Sequence, residues 1–202
     1  MSVEVRLAVP ADAAKIGDVF AKAFAGDPVT SWVTPDATRR TLVLRRLNTV
    51  IARYDGILRG ATYVATDAGV VVGAAIWRPP GRSPFNWRTV PYALGSGAAL
   101  GRDIGRMIEM GRAVSQARPS VRHWYLQLLG VNPDAQGTGV GRALVQGHLR
   151  LVDEQRMPAY LETTVENVEF YERFGFAVTG EIVLREAAPT EYSLLRVARR
   201  QE

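Results

Sequence analysis

His123-Trp124-Tyr125-Leu126-Gln127-Leu128-Leu129-Gly130-Val131-Asn132-Pro133-Asp134-Ala135-Gln136-Gly137-Thr138-Gly139-Val140-Gly141-Arg142 is the stretch on which the reading of this chain turns. Residues 123–131 form an apolar run of strand length, and residues 140–155 carry apolar side chains at helical spacing. A glycine-rich turn therefore sits where a strand hands over to a helix. Unpaired backbone N–H groups and the positive end of the helix dipole face outward at such a turn, an arrangement that binds phosphate. A dinucleotide fingerprint needs a third glycine where Arg142 stands, and a P-loop needs Gly-Lys-Ser/Thr, so neither motif is complete. A merely tight strand-to-helix turn is the alternative.

Downstream, a strand over 159–164 closes a β-α-β unit. A short helix over 168–174 ends at Gly175, and strands follow at 176–184 and 191–199. Upstream, the alternation predicts a strand over 4–9, and Ile16, Val19, Phe20 and Ala23 predict a helix over 12–24. After the turn Gly26-Asp27-Pro28, residues 36–54 read as an amphipathic helix with a basic outer face. Two β-branched runs at 62–66 and 70–77, joined by Asp67-Ala68-Gly69, read as a hairpin. Residues 78–122 interrupt this succession with a helix predicted over about 98–116, and they carry a net charge of +6 while the rest of the chain sums to −1. Gly97, Gly101 and Gly105 recur there every four residues; each interior helical glycine costs about 1 kcal/mol relative to alanine, which a close helix contact would offset.

With 202 residues, 47% of them hydrophobic and 22% charged, the expected organisation is one soluble domain over 1–202. The apolar stretch 68–77 falls short of the roughly 18 residues that a spanning helix needs, and the N-terminus lacks a signal-peptide core, so the expected location is the cytoplasm, with no membrane partner. The absence of cysteine removes disulfides, thiolate nucleophiles and a covalent thioester on the protein. His123 and His148 are the only imidazoles, and neither has ligand-like neighbours, so no metal site is expected. The net charge of +5 comes almost wholly from arginine, but no reader motif or aromatic stripe accompanies it, and no nucleic-acid partner is expected.

Further runs join the central turn: Tyr160-Leu161-Glu162-Thr163, then Asn167, then Phe170-Tyr171-Glu172-Arg173-Phe174-Gly175-Phe176. Together with 123–131 and Gln136 to Gly141, which match (Gln/Arg)-x-x-Gly-x-Gly/Ala in full, they resemble the GNAT superfamily of acetyl-CoA-dependent N-acetyltransferases. The resemblance is strong over 121–180; residues 3–78 fit the family's β-α-α-β-β opening, and 79–120 match nothing general. Within the superfamily the runs look most like the puromycin N-acetyltransferase group. The resemblance implies an α/β (α+β) fold, a mixed and mostly antiparallel sheet of about seven strands flanked by helices, with 78–122 as a helical insertion.

It also implies acetyl-CoA (coenzyme A) as cofactor. Backbone N–H groups of Gln136, Gly137, Thr138, Gly139, Val140, Gly141 and Arg142 would hold its pyrophosphate. The strand through Leu129 and Val131 would pair with its pantetheine arm, and that strand has a bulge in the family and splays from its parallel neighbour. The Val131 N–H would face the thioester carbonyl, and Asn167 would bond the pantetheine. Tyr171 takes the place of the general acid that protonates the leaving thiolate. The base is open between Glu162, His123 and water, while His148 is read as a surface residue. Phe24 and Trp32 are candidates for the wall of the acceptor pocket or for the core. The implied reaction is direct acetyl transfer to a primary amine of a small molecule in a ternary complex, by a monomer or homodimer; a catalytically idle acyl-CoA-binding or sensing fold is the alternative. Arg102 and Arg106 read either as contacts to an anion-bearing acceptor or as a solvated or oligomer-forming face.

Overall fold

The computed structural model describes residues 3–81, 90–184 and 188–198, with the backbone alone at 90–93. The expectations attached to Met1, Ser2, Arg82, Arg88 and Arg199 lie outside the described residues. Strands β1 (Val3–Leu7), β2 (Thr62–Asp67), β3 (Val70–Arg78), β4 (Trp124–Val131), β5 (Ala159–Thr163), β6 (Ala177–Ile182) and β7 (Glu191–Arg196) form one sheet in the order β1-β2-β3-β4-β5-β7-β6. Only β4 and β5 run parallel; the other neighbours are antiparallel.

Helices cover both faces. On one, α1 (Ala13–Ala23) and α3 (Ala37–Ile51) pack Ile16, Phe20, Val43 and Leu47 against Val64, Ala74 and Ile76. On the other, α6 (Val140–Glu154) packs Leu144, Val145 and Val152 among Trp77, Trp124, Leu161 and Leu194. Ile76 and Trp77 are consecutive and both fully buried because successive strand side chains enter opposite cores, and this is why β3 reads as an unbroken apolar run. Arg196 fixes α6 to the sheet, giving two hydrogen bonds to Asp153 at 2.6 and 2.8 Å and a third to the Phe174 carbonyl at 2.8 Å.

The structure revises several local expectations. The Gly26-Asp27-Pro28 turn opens a further helix, α2 (Pro28–Val33), whose N-cap Asp27 accepts from the Thr30 N–H at 2.8 Å. Asp-Pro is an N-cap followed by the residue best suited to the first helical position, so the signal lay in the sequence. The helix predicted over 36–54 loosens after Ile51 into a wider turn over Ala52–Gly56. The helix predicted over 98–116 is two helices, α4 (Val90–Leu100) and α5 (Ile104–Ala117). The break falls at Gly101, whose φ of +54° lies in the left-handed region that side chains disfavour. Close packing is at Gly95, where a Cβ would lie 3.0 Å from Val50, whereas Gly105 faces open space. Helix α7 (Val165–Glu172) starts three residues before the predicted boundary.

His148 is the clearest reversal. It is only 1% exposed, stacked on Trp77 at 4.5 Å between ring centres and edge-on to Trp124 at 4.4 Å. Its Nδ1 lies 3.3 Å from the Tyr63 hydroxyl, and burial lowers its pKa to about 4. This imidazole is a neutral core residue. Among the described residues, no helix is long and apolar enough to cross a membrane.

Candidate active site

The site begins with a defect in the sheet. The β3–β4 register runs Ile76↔Leu128 and then Trp77↔Leu126, so Gln127 bulges out of β4. β4 and β5 pair only at Trp124↔Ala159 and Tyr125↔Tyr160, and beyond that point the two parallel strands part. The Asn132 N–H donates to the Val72 carbonyl at 2.8 Å. Alternation along an antiparallel ladder then turns the backbone groups of Val131 and Leu129 away from β3, toward the opening. The Val131 carbonyl on that side accepts from the Gln136 side chain at 3.3 Å.

The glycine-rich turn closes the wide end of this opening. Gly139, at φ +90°, is the N-cap residue of α6 and offers no side-chain cap, so the first-turn N–H groups of the helix are left for another acceptor. A Cβ built at Gly137 or Gly139 meets nothing within 4 Å, which leaves open space above those groups. Thr138 turns its hydroxyl inward, donating to the Ala135 carbonyl at 2.7 Å. Arg142 sits in the same first turn. These features fit a diphosphate at the turn and an extended amide-bearing chain along β4.

Asn167 is exposed on α7, its Nδ2 3.4 Å from the Thr164 hydroxyl. Tyr171 is buried among Phe170, Phe174 and Phe176, and burial raises its hydroxyl pKa above the ordinary tyrosine value, so it stays protonated at neutral pH. Phe170 also reaches the glycine-rich turn, 3.5 Å from where a Cβ on Gly141 would stand, and so docks α7 on α6.

Glu162 lies across the sheet from Tyr171. Leu161 enters the α6 core, so the neighbouring Glu162 points to the opposite face, the one shared by Tyr160 and, through the strand register, by Tyr125. Only 6% of the Glu162 side chain is exposed, and its Oε1 has no hydrogen-bond partner among the described residues. The nearest cation is the Arg118 Nε, 3.8 Å from Oε1, whose guanidinium also lies 4.1 Å from the Tyr125 ring centre. Burial raises the Glu162 pKa, opposed by interactions with the Tyr125 hydroxyl, Arg118 and the Tyr160 hydroxyl. Glu191 stands diagonal to it on the same face, 8% exposed, its Oε2 also without a partner. Burial and the charges of Glu162 and Asp27 raise its pKa to about 7.

His123 gives its Nδ1 to the Val121 carbonyl at 2.7 Å and packs edge-on against Tyr160 at 5.3 Å. Phe24 and Trp32 pack on the α1/α3 core. Arg102 is 69% exposed and pairs at 3.1 Å with Asp36, and Arg106 is exposed on α5. The structure thus gathers Arg118, Tyr125, Tyr160 and Glu191 around Glu162; alternation along 159–164 puts Tyr160 on the face of Glu162, and the other three were given no role from the sequence. For those three, the parallel pairing of the two tyrosine-bearing strands was the one available signal.

The chain matches the family model described as Acetyltransferase (GNAT) family over residues 32–176, and it belongs to that family. An uncharacterised N-acetyltransferase of Schizosaccharomyces pombe is 25% identical over 188 residues, which is 86% of this chain and 74% of that protein. The solved structure described as histone acetyltransferase HPA2 and related acetyltransferase from Corynebacterium glutamicum superimposes with a TM-score of 0.72 at 25% identity, covering 100% of this chain and 99% of that one. The fold is shared more distantly with the NatC complex bound to Gag peptide and CoA, at a TM-score of 0.56, 13% identity and coverage of 98% and 100%. Acetyl-CoA is the family's acyl donor, and the residues of the turn and of β4 fit it.

Proposed function

We propose that this chain transfers an acetyl group from acetyl-CoA to a primary amine of a small molecule, directly and within a ternary complex. The observation that carries this reading is the buried Glu162 carboxylate beside the point where β4 and β5 part, whose Oε1 accepts no hydrogen bond among the described residues and has only the Arg118 guanidinium, 3.8 Å away, as its ion-pair partner. Acetyl-CoA supplies a thioester carbonyl open to attack and a thiol leaving group.

An alkylammonium of pKa about 10.4 costs about 4.6 kcal/mol to deprotonate at pH 7. Glu162 accepts that proton, directly or through water, and its raised pKa makes it a stronger base than an exposed carboxylate. His123 donates its Nδ1–H to Val121, which leaves Nε2 able to accept a proton and keeps it as the rival base. Tyr171, on the other face of the sheet, holds the proton for the departing sulfur. Base and acid then flank the opening, as a reaction needs when the nucleophile enters from one side and the leaving group departs on the other. Val131 offers its N–H to the thioester oxygen, where a preorganised donor contributes about 3 kcal/mol. Leu129, two residues nearer the level of Glu162, offers a second such donor. Gln136 to Arg142 bind the diphosphate and Asn167 the pantetheine. The narrower likeness to the puromycin N-acetyltransferase group rests on the sequence runs alone.

The test is thiol release from acetyl-CoA in the presence of a panel of primary amines, for the wild type and Glu162→Gln. Amine-dependent release that falls about a hundredfold or more in the variant is the expected result. Acetyl-CoA binding with no amine-dependent release from any acceptor would make the chain a binder instead of an enzyme.

A further inference from the structure

A cavity of about 280 Å³ opens beside Tyr125, at the closed end of the β4/β5 gap and away from the phosphate turn. Among the described residues its lining includes Arg59, Arg78, Arg118, Arg122 and His123, and no carboxylate. Two of the guanidiniums are held rigidly from behind. Asp55, 2% exposed, accepts from the Arg59 Nε at 2.5 Å and from the Arg78 Nε at 2.8 Å, and a second nitrogen of Arg78 also bonds it. Arg118 is held by Glu162 and the Tyr125 ring. Arg122 is exposed and has no carboxylate partner among the described residues.

Among the described residues Asp55 and Glu162 are the two carboxylates that back these four cations, so two positive charges remain in excess around the cavity. Like charges gathered without a counter-charge repel, and the fold keeps three of them in place with a buried aspartate, a buried glutamate and an aromatic ring. Fixed guanidiniums present donors in a planar fork that matches carboxylate and phosphate oxygens. Arg118 and Tyr125 belong both to this cavity and to the surroundings of Glu162, so one small molecule can reach both.

We propose that the cavity is an anion subsite, and that the acceptor is an amine that also carries a carboxylate or phosphate. The ammonium lies at Glu162 and the anionic group lies among Arg59, Arg78, Arg118 and Arg122. This deepens the acetyltransferase reading and rests on it for the ammonium position, while the anion site stands on the cavity itself. The arginines of the insertion that reach the acceptor are then Arg78, Arg118 and Arg122, in place of Arg102 and Arg106. A cavity this size lies at the small end of ligand sites, which favours a compact acceptor.

The experiment has two arms. In the first, inorganic phosphate is titrated at low ionic strength into protein saturated with coenzyme A, so that the phosphate turn is filled, and binding is followed by calorimetry. Saturable binding in the wild type that weakens about tenfold or more in Arg122→Gln and in Arg118→Gln is expected, since each removes a charged donor. Arg122 is exposed and has no carboxylate partner among the described residues, so its replacement leaves the fold intact, and circular dichroism checks both variants. No saturable binding in the wild type, or the same affinity in both variants, overturns the proposal. In the second arm, thiol release is compared for matched amines with and without the anion: phosphoethanolamine against ethanolamine, phenylalanine against phenethylamine. The anionic member should show the higher kcat/KM, and Arg122→Gln should collapse the difference through KM. Equal use of both members overturns the acceptor class. No amine-dependent release from any member counts against the acetyltransferase reading instead, and the phosphate titration still decides the subsite.

Discussion

Replacing Glu191 by glutamine removes a charge while keeping the shape of the side chain, and the structure fixes the sign and size of the result. Glu191 is 8% exposed, and burial together with Glu162 and Asp27 raises its pKa from 4.5 to about 7. Between those values the folded protein keeps a proton that the unfolded chain has released. Stability from this group therefore falls as pH rises through that window and is level above it. At about 1.36 kcal/mol per pH unit the whole window corresponds to about 3 kcal/mol. Glu191→Gln should gain on the wild type by about that much between pH 4.5 and 8, most of it by pH 7. His148 acts in the opposite direction. Held neutral with a pKa of about 4, it contributes stability that is lost as pH falls from 6.5 toward 4, so the two slopes oppose each other in the wild type. The informative quantity is thus the difference between variant and wild type, from urea unfolding at pH 5 and pH 8, in which the His148 contribution cancels. A difference that is flat with pH, or that grows as pH falls, refutes the buried-carboxylate reasoning.

Two further substitutions separate chemistry from architecture. Tyr171→Phe should lower kcat by about a hundredfold or more while acetyl-CoA affinity by calorimetry stays the same, because the hydroxyl acts only as the thiolate departs; unchanged turnover would leave Tyr171 a packing residue. Asp55→Asn removes the charge that both Arg59 and Arg78 bond, and should cost about 3 kcal/mol in urea unfolding; an unshifted midpoint would show that the two arginines are held by something else.

The glycine-rich strand-to-helix turn was legible because its signal is local: a strand, glycines and a helix in sequence, with Gly139 at φ +90° as the N-cap of α6. The mixed, mostly antiparallel sheet is what the family resemblance implied, and the strand order bears it out. The surroundings of Glu162 were not legible, since Arg118 comes from the end of α5 and Glu191 from the start of β7. Only the strand register and the docking of the insertion bring them together. Local cues were also outvoted. Gly101 reads as one of three equivalent helical glycines, yet only its backbone turns left-handed and divides the insertion into two helices. His148 was misread although its spacing from Leu144 and Val152 puts it on the apolar stripe of α6; a titratable side chain there signals a desolvated ring when tryptophans from two strands close over it.

The most direct test of the account is calorimetric titration of acetyl-CoA into the wild type and Gly139→Val. Valine at this position is strained by the positive φ and places its side chain over the free N–H groups at the start of α6. The account predicts saturable binding to the wild type and severe loss in the variant, with both proteins folded by circular dichroism. Equal affinity in the two would contradict the assignment of the turn as the diphosphate site, and with it the placement of the thioester between β4 and β5.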